Sequence, residues 1–317
     1  MDCLSAWRGQ PVLVTGGTGF VGRYVLNIGA AAGAKITNVS LQATAPPGVN
    51  QVQSDIGNIE TLQRLIFKLK PVAILHLAAS GVAYGEDALS TALLDNVLKL
   101  EQLLELASTL KPVPQIVLAG SGAEYGPSSR PHAEDEPLEP STSYGVSKAA
   151  ASLVAGYYAT RLPVTMLRLF SLYGSGERST RLAPYIIERT ICGKPVELTH
   201  CEQLRDYSCV ADVAEGFWRA LLVPHRTGAL RVVNIASDRA ITLRVFVEAL
   251  AAQLRQRGFR PNLCFGALSY RKDEPMVYLA DVARMKHLFR WSPTTSLQQG
   301  LARMVNDSLA EVDYQDR

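Results

Sequence analysis

The chain has 317 residues, enough for one large domain or two coupled domains. Hydrophobic residues make up 47% and charged residues 19%, so the chain can form a full core and its composition is not that of a disordered protein. The net charge of +3 is small and the basic residues are scattered, which argues against a nucleic-acid-binding protein.

Short apolar segments alternate with helical patterns through the first half of the chain. Strands are predicted at residues 11–15, 35–41, 72–77, 115–119 and 164–170. Helices are predicted between them, at residues 20–32, 59–69, 88–110 and 144–161. This alternation indicates βαβ units and an α/β fold, with a parallel sheet that is buried on both faces.

The pattern loosens after residue 170. Residues 171–180 are rich in Gly and Ser, and further helices are predicted at 281–289 and 297–309. We predict that residues 1–170 form the main domain, while residues 171–317 form mainly a smaller lobe with some segments that return to the sheet. This lobe is expected to pack at the carboxyl ends of the strands, where open parallel sheets bind their ligands.

The cysteines are few and scattered, with no C-x-x-C pair and no metal-ligand spacing, at Cys3, Cys192, Cys201, Cys209 and Cys264. Such a set is typical of reduced thiols, and no metal is expected. The first ten residues lack a signal-peptide pattern, and no apolar run approaches the ~20 residues that span a membrane. We therefore expect a cytoplasmic protein without a membrane contact.

A glycine-rich turn, T-G-G-T-G-F-V-G, follows the first predicted strand and opens a helix. Glycines let the backbone turn tightly and approach a pyrophosphate, which lies on the free N–H groups of the helix. The position between strand and helix makes this common string informative, and it predicts a dinucleotide site. The residues of this turn expected at the cofactor are Gly16, Gly19, Phe20, Val21, Gly22 and Arg23.

The second predicted strand ends without an acid. Its residues are K-I-T-N-V-S-L-Q, with no carboxylate at or near Ser40, where NAD sites often have one for the ribose 2′-hydroxyl. The absence removes repulsion against a 2′-phosphate, and we expect Arg23 to attract that group beside Ser40. The cofactor is therefore predicted to be NADP(H) rather than NAD(H). The alternative is that Arg23 is only a solvated helix residue.

Tyr144 and Lys148 lie four residues apart at the start of a predicted helix, so their side chains share one face. A free tyrosine titrates near pH ~10, and a neighbouring ammonium together with an oxidised nicotinamide would lower its pKa. Ser121 follows the strand at 115–119, at the edge where it can donate to a substrate carbonyl oxygen. The three residues are candidate catalytic groups beside the cofactor.

Taken together, these residues resemble the extended short-chain dehydrogenases/reductases of the nucleotide-sugar epimerase, dehydratase and reductase group. The resemblance covers nearly the whole chain, from Val12 to about Leu301. The further matching segments are S-D-I at 54–56, H-L-A-A at 76–79, Asn96, S-G-A-E-Y-G at 121–126, R-L-F-S-L-Y-G at 168–174, L-R-D-Y at 204–207 and the region of Arg271.

The resemblance implies a Rossmann-type doubly wound parallel sheet and a set of binding residues. The implied cofactor contacts are Asp55 and Ile56 at the adenine, Leu77, Ala78 and Ala79 along the middle, and Asn96. Arg205 and Arg271 would bind the substrate's pyrophosphate, for which a guanidinium fork is suited; the alternative is a surface ion pair such as Arg205 with Asp206. The helices at 88–110 and 144–161 would form a four-helix bundle in a homodimer.

Four positions bear on the reaction. Dehydratases of this group carry an Asp-Glu pair where this chain has Gly122 and Ala123, so dehydration is not expected. Glu124 is similar to an acid of the GDP-4-keto-6-deoxy-D-mannose reductases and is a candidate substrate contact. Ser171 stands where the family usually has Asn, and a hydroxyl offers one donor where an amide offers two, which changes the expected sugar contact.

The first hypothesis is a reductase that uses NAD(P)H on a nucleotide-linked 4-keto-6-deoxyhexose, with Tyr144 as the proton donor. The second hypothesis is an NAD-dependent nucleotide-sugar 4-epimerase, which would use the same residues and retain its cofactor. The third is a redox-inactive dinucleotide-binding regulator, which would need neither Tyr144 nor Lys148.

Overall fold

The computed structural model describes residues 3–81 and 88–315. Its strands are β1 Pro11–Thr15, β2 Lys35–Ser40, β3 Asn50–Gln53, β4 Ala73–His76, β5 Gln115–Ser121, β6 Val164–Leu169, β7 Ser171–Tyr173, β8 Val196–Leu198, β9 Leu204–Cys209, β10 Arg231–Ile235, β11 Ala240–Thr242, β12 Leu263–Phe265 and β13 Val277–Tyr278.

The helices begin with a 3₁₀ turn, Cys3–Trp7, and include a π-helical turn, Leu94–Leu98, and a second 3₁₀ turn, Gly122–Glu124. The α-helices are α1 Phe20–Ala31, α2 Ile59–Leu69, α3 Leu89–Leu93, α4 Lys99–Ser108, α5 Ser143–Tyr158, α6 Leu182–Ile191, α7 Val210–Leu222, α8 Leu243–Arg255, α9 Ala283–Phe289 and α10 Leu297–Gln315.

The main sheet has seven parallel strands in the order β10-β6-β5-β4-β1-β2-β3. Both faces are covered, as the central strand β1 shows. Val12 and Val14 face one core, which includes residues of α1 and α7. Leu13 faces the other, with residues of α2, α4 and α5. Because side chains alternate across a strand, one apolar segment supplies both cores.

The helices α1 and α7 pack closely on one face of the sheet. Trp218 of α7 is fully buried, and its indole N–H donates to the Val25 carbonyl of α1 at 2.9 Å. A Cβ at Gly29 would collide with the Trp218 ring, so glycine lets the two helices approach. This contact ties a helix from beyond residue 170 to the first βα unit.

The smaller lobe is built on two short sheets. In one, β9 lies between β11 and β13 and also pairs with β7, and in the other β8 pairs with β12. The lobe has its own core, in which residues of α6, α8 and α10 pack around Phe246 and Leu250. The strand β10 also comes from beyond residue 170, but it belongs to the main sheet, where it pairs with β6 at the edge.

The predicted fold class is confirmed, but the structure corrects several element predictions. The strand β3 was not predicted, because its N-Q-V-Q sequence carries no apolar alternation. The helical stretch predicted at 88–110 is confirmed as a continuous run from Leu89 to Ser108, but it contains a π-helical turn, Leu94–Leu98, between α3 and α4 that was not predicted. In the described part of the chain, no helix is long and apolar enough to cross a membrane.

Candidate active site

The turn between β1 and α1 forms a cradle of backbone groups. Gly16 has a positive φ of 71°, and a Cβ on it would lie 2.5 Å from the Ala78 nitrogen. A Cβ on Gly22 would collide with the Gly16 carbonyl oxygen. The N-cap residue of α1 is Gly19, and no side chain caps the helix, so its first N–H groups can receive an anion. The cradle therefore fits a dinucleotide's pyrophosphate.

The end of β2 is polar and uncharged. The Asn38 amide accepts from the Gly17 N–H at 2.9 Å and donates to the Gln51 side chain at 2.7 Å. Gln51 in turn donates to the Ser40 hydroxyl at 2.9 Å. Residues 41–53, which follow β2 and include β3, contain no acid and no base. A ribose at this edge would contact amides and hydroxyls. The segment 41–53 has no charged side chain that would favour either a 2′-hydroxyl or a 2′-phosphate.

Arg23 does not reach toward Ser40. Its side chain is exposed, and its guanidinium lies where a Cβ on Gly176 would be, in the loop after β7. The neighbouring Tyr24 hydroxyl donates to the Ser175 carbonyl of the same loop at 3.0 Å. The predicted contact of Arg23 with a 2′-phosphate beside Ser40 is therefore corrected: Arg23 lies against the loop at residues 174–176.

The two residues predicted at the adenine differ in their exposure. The Asp55 carboxylate is partly exposed and pairs with Lys99 at 2.9 Å, and the hydrogen bond from Lys99 lowers its pKa. The side chain of Ile56 is buried in the core, so only its backbone can face a ligand. At the end of β4, the half-buried Leu77 and Ala78 are followed by the exposed Ala79.

Asn96 is buried, and its side chain is fully engaged within the protein. Its carbonyl oxygen accepts from the Ser80 N–H at 2.9 Å, and its amide donates to the Ser80 carbonyl at 3.1 Å and to the Ser147 hydroxyl at 2.9 Å. The predicted direct cofactor contact is corrected, because Asn96 instead joins the segment after β4 to helix α5. The π-helical turn is what directs this side chain inward.

The structure brings Ser121, Tyr144 and Lys148 together at the carboxyl edge of the sheet. Ser121 is the last residue of β5, and the other two lie one turn apart at the start of α5. Thr142 caps this helix, because its hydroxyl accepts from the Gly145 N–H at 3.0 Å. The buried Lys148 ammonium donates to the Ala119 carbonyl of β5 at 2.6 Å. The helix start and the strand end are thereby held together.

The acid–base properties of this group are set mainly by burial. Burial raises the pKa of Tyr144 to about 12, while the Ser121 hydroxyl and Arg181 act to lower it. Burial lowers the pKa of Lys148 to about 8. The expected lowering of the Tyr144 pKa by Lys148 is not found, since that ammonium bonds the Ala119 carbonyl. The positive charge of an oxidised nicotinamide would favour the phenolate.

His76, at the end of β4, is a buried neighbour of this site that the sequence analysis did not single out. Burial and the Lys148 charge lower its pKa to about 3, so the ring is neutral. Its Nδ1 is 2.7 Å from the Thr15 hydroxyl of β1. The H-L-A-A segment at 76–79 was noted as a match to the family and for cofactor contacts at 77–79, without a role for its histidine. The position of a histidine at a strand's carboxyl end was the available signal.

Glu124 is placed differently from the prediction. It is fully buried, and its carboxylate accepts from the Ser121 N–H at 2.8 Å, the Ser152 hydroxyl at 2.6 Å and the Arg168 Nε at 2.8 Å. A contact with a sugar is excluded by this burial, so the prediction of a substrate-binding Glu124 is corrected. The residue instead fixes the backbone of Ser121.

The predicted substrate residues of the smaller lobe lie around β9. Arg205 donates to the Glu274 carboxylate at 2.9 Å, so its ion-pair partner is Glu274, while Asp206 accepts from the backbone at 237–239. Arg271 is exposed in the loop before β13. Ser171 begins β7 and pairs with Tyr207 of β9.

One further group borders the catalytic residues, and a second interacts with Arg181, a charged neighbour of Tyr144. The half-buried Tyr278 of β13 has its hydroxyl beside Gly122 and interacts with the Ser121 side chain. Burial raises the pKa of Glu177 to about 7, with Arg181 acting against that rise. Neither residue is marked by a periodicity or a motif, because Tyr278 ends the two-residue strand β13 and Glu177 lies in the loop after β7.

Comparison with known proteins identifies related sequences and folds. The model of the NAD dependent epimerase/dehydratase family matches residues 12–236. The chain is 28% identical to the solved structure of MoeE5 in complex with UDP-glucuronic acid and NAD, with a TM-score of 0.83 over 96% of this chain and 100% of that one.

The related curated proteins carry names of three different reactions. The "Uncharacterized UDP-glucose epimerase YtcB" of Bacillus subtilis (strain 168) is 27% identical, but that match spans 55% of this chain and only 54% of the relative. The dTDP-glucose 4,6-dehydratase of Xanthomonas campestris pv. campestris (strain B100) is 27% identical over 93% of this chain and 92% of its own. The dTDP-4-dehydro-6-deoxyglucose reductase of Escherichia coli is 24% identical over 94% and 97%. Similarity alone therefore does not select the reaction.

Proposed function

Because the chain belongs to the NAD dependent epimerase/dehydratase family, we propose that it is a reductase that uses NAD(P)H on a nucleotide-linked 4-keto-6-deoxyhexose. The observation that carries the proposal is the group of Ser121, Tyr144 and Lys148 at the carboxyl edge of the sheet. This group has a proton donor and a hydroxyl for a carbonyl oxygen, and no carboxylate at positions 122 and 123.

Each residue has a defined part in the reduction. The cofactor, when bound, supplies the hydride that goes to the keto carbon. Tyr144 gives its proton to the oxygen and is afterwards reprotonated from solvent, so that one hydride and one proton convert the carbonyl to a hydroxyl. Ser121 donates a hydrogen bond to the same oxygen as negative charge develops on it. Lys148 holds Tyr144 in place through its bond to the strand β5.

Dehydration is disfavoured by the surroundings of Ser121. A Cβ on Gly122 would lie 2.6 Å from the Tyr278 hydroxyl and 2.9 Å from the Phe170 ring, so an acidic side chain has no room there. Position 123 is alanine, and the nearby Glu124 is committed to Arg168. An elimination of water needs a group to remove a proton from carbon and another to protonate the leaving hydroxyl, and these positions supply neither.

We favour NADP(H) over NAD(H) because the segment 41–53 carries no acid to repel a 2′-phosphate. The preference rests on that absence alone, since Arg23 lies against another loop. It also suits a reductase, which must release its oxidised cofactor after each turnover. Arg205 and Arg271 remain our candidates for the substrate pyrophosphate, which would compete with Glu274 for the Arg205 guanidinium.

A 4-epimerase is the second candidate, and the name of YtcB supports it. Such an enzyme would use the same residues to oxidise the sugar at C4 and then reduce the opposite face. It would keep its NAD throughout the cycle, which distinguishes it from a reductase. The redox-inactive regulator is disfavoured, because such a protein has no use for a Tyr144 and Lys148 pair.

We also propose a homodimer through α3, α4 and α5. Leucines and a tyrosine on α5 and on the π-helical turn between α3 and α4 are more than half exposed, namely Leu94, Leu98, Leu153 and Tyr157. Exposed apolar side chains at helical spacing favour a helix-to-helix contact. Light scattering of the native protein and of Leu153→Glu should give a dimer and a monomer; a monomeric native protein at micromolar concentration would contradict the proposal.

The test of the reaction is NADPH oxidation with a panel of dTDP- and GDP-linked 4-keto-6-deoxyhexoses, with NADH as the comparison. Turnover establishes the reductase, and Tyr144→Phe should abolish it. Tyr158→Phe is the matched control, because its hydroxyl bonds Glu101 and Glu105 far along α5 from the site. No NADPH consumption, with NAD retained by the purified protein, would refute the reductase and favour the epimerase.

A further inference from the structure

Tyr278 brings a second phenol to the catalytic group. It is the last residue of β13, where it pairs in register with Arg205 of β9, and its ring centroid lies 5.0 Å from that of Phe170. A Cβ on Gly122 would lie 2.6 Å from its hydroxyl oxygen. The hydroxyl thus occupies the space that the missing side chain at position 122 leaves beside Ser121.

The Ser121 hydroxyl has a limited set of partners. A serine hydroxyl has one proton to donate and two lone pairs that accept. One lone pair of Ser121 Oγ is taken by the Ala123 N–H at 3.1 Å, as part of the capping box of the turn at 122–124. The Tyr144 and Tyr278 side chains are both neighbours of the Ser121 hydroxyl. One lone pair and one proton remain for these two phenols.

Whether each phenol donates to Ser121 or accepts from it decides what Ser121 can do. If Tyr144 donates to Ser121, its proton is withheld from a keto oxygen and the phenol is stabilised. If Tyr278 donates to Ser121, both lone pairs are filled, and the Ser121 proton can only point toward Tyr144 and the reacting oxygen. Burial raises the pKa of Tyr278, so it stays protonated and remains a donor over the working pH range.

We propose that Tyr278 is a positioning residue, whose hydroxyl donates to Ser121 Oγ and thereby directs the Ser121 proton toward Tyr144 and the substrate oxygen. The effect on reduction rests on the function proposed above, whereas the effect on Tyr144 does not. Because Ser121 then donates to Tyr144, it stabilises the phenolate, and the Tyr144 pKa is lower than it would be without Tyr278.

The test is the titration of Tyr144 in the NADP⁺ complex of the native protein and of Tyr278→Phe. Carbon-13 NMR of protein labelled at the tyrosine ζ carbon gives the pKa, and the signal is assigned by its loss in Tyr144→Phe. In Tyr278→Phe the Ser121 lone pair is free to accept from Tyr144, so its pKa should rise by about 0.5–1 unit. With an active 4-keto sugar, kcat should fall about tenfold while KM stays near its native value.

Two comparisons separate this role from a general loss of structure. Tyr158→Phe removes a bonded phenol hydroxyl elsewhere and should leave the Tyr144 titration unchanged. Gly122→Ala keeps Tyr278 but forces its hydroxyl away, so it should raise the Tyr144 pKa as Tyr278→Phe does. In the double variant the pKa should rise no further than in either single variant.

An unchanged Tyr144 pKa in Tyr278→Phe overturns the proposal. A rise that Tyr158→Phe reproduces overturns it too, because the effect would then not depend on the contact with Ser121. If no sugar of the panel is reduced, the function proposed above fails, and the Tyr144 titration still decides the role of Tyr278.

Discussion

Removal of the Glu124 charge should cost far more stability than removal of a surface carboxylate. Glu124 and Arg168 are almost fully buried, and their side chains meet at 2.8 Å. In Glu124→Gln the shape and one acceptor remain, but the Arg168 guanidinium becomes a buried charge without its counter-ion. Breaking a buried pair by changing one partner costs about 3–5 kcal/mol, because the remaining charge stays desolvated.

The structure gives reasons to expect a cost within that range. Arg168 keeps two oxygen contacts, the Tyr125 hydroxyl at 2.7 Å and the Glu134 carbonyl at 3.4 Å, and its guanidinium lies 4.5 Å from the Tyr125 ring centroid. These neutral partners compensate part of the charge, which places the expected loss near the lower bound, about 3 kcal/mol. The Ser121 N–H also loses a charged acceptor, so activity should fall with stability.

The assay is urea unfolding of the native protein and of Glu124→Gln, with Glu248→Gln as the control. Glu248 pairs with Arg244 at 3.8 Å on the surface, and its loss should change the free energy of unfolding by less than about 1 kcal/mol. Arg168→Met in the Glu124→Gln background should recover part of the loss, since it removes the stranded charge. The reasoning is refuted if Glu124→Gln unfolds within about 1 kcal/mol of the native protein. It is also refuted if that variant shows only a raised KM, as a surface substrate contact would.

Two further predictions concern the cofactor cradle and a buried histidine. Gly16→Ala should weaken dinucleotide binding at least about tenfold in calorimetry, because its Cβ meets the Ala78 backbone. Gly9→Ala, which has a similar φ of 74° and no atom within 4 Å of its Cβ, should lose about 1 kcal/mol of stability and keep its affinity. Equal affinity losses in both would contradict the close-approach argument. For His76, the folded pKa of about 3 lies below the unfolded value of about 6.5, so its contribution is complete above pH ~6.5 and is lost as pH falls toward 3. The free energy of unfolding should fall by up to about 1.4 kcal/mol per pH unit across that window, and His76→Asn should flatten the slope; parallel slopes in urea unfolding would exclude this role.

The central elements could be predicted because their signal is local. The strand β1 has three consecutive apolar residues that are all buried, and the helix α2 directly follows Asn58, whose side chain caps it. The edge strand β3 had no such signal: its polar residues pair on one side only and need no apolar face. The π-helical turn had no local signal either, since the contacts of Asn96 with Ser80 and Ser147 join residues that are far apart in the sequence.

The catalytic group shows the same division between local and long-range information. Tyr144 and Lys148 share a helix face by spacing, and Ser121 follows from the rule that parallel strands end at one edge. The buried ion pair of Glu124 with Arg168 could not be predicted, because it requires that β6 lie beside β5 in the register that pairs Arg168 with Gly120. A Cβ on Gly120 would lie 2.8 Å from the Glu124 carboxylate. Glycine at position 120 therefore makes room for that carboxylate, which is evident only from the folded chain.

Position 122 links the choice of reaction to a residue far away in the chain. An aspartate introduced at Gly122 would place its Cβ 2.6 Å from the Tyr278 hydroxyl and 2.9 Å from the Phe170 ring, so the acid of a dehydratase cannot be accommodated by that change alone. The phenol would have to leave, and Ser121 would then lose the donor that we propose for its second lone pair. The acid at 122 and the phenol at 278 therefore exclude each other physically. The chemistry at Ser121 depends on which of the two occupies that space, while the Tyr144 and Lys148 spacing is the same in both cases.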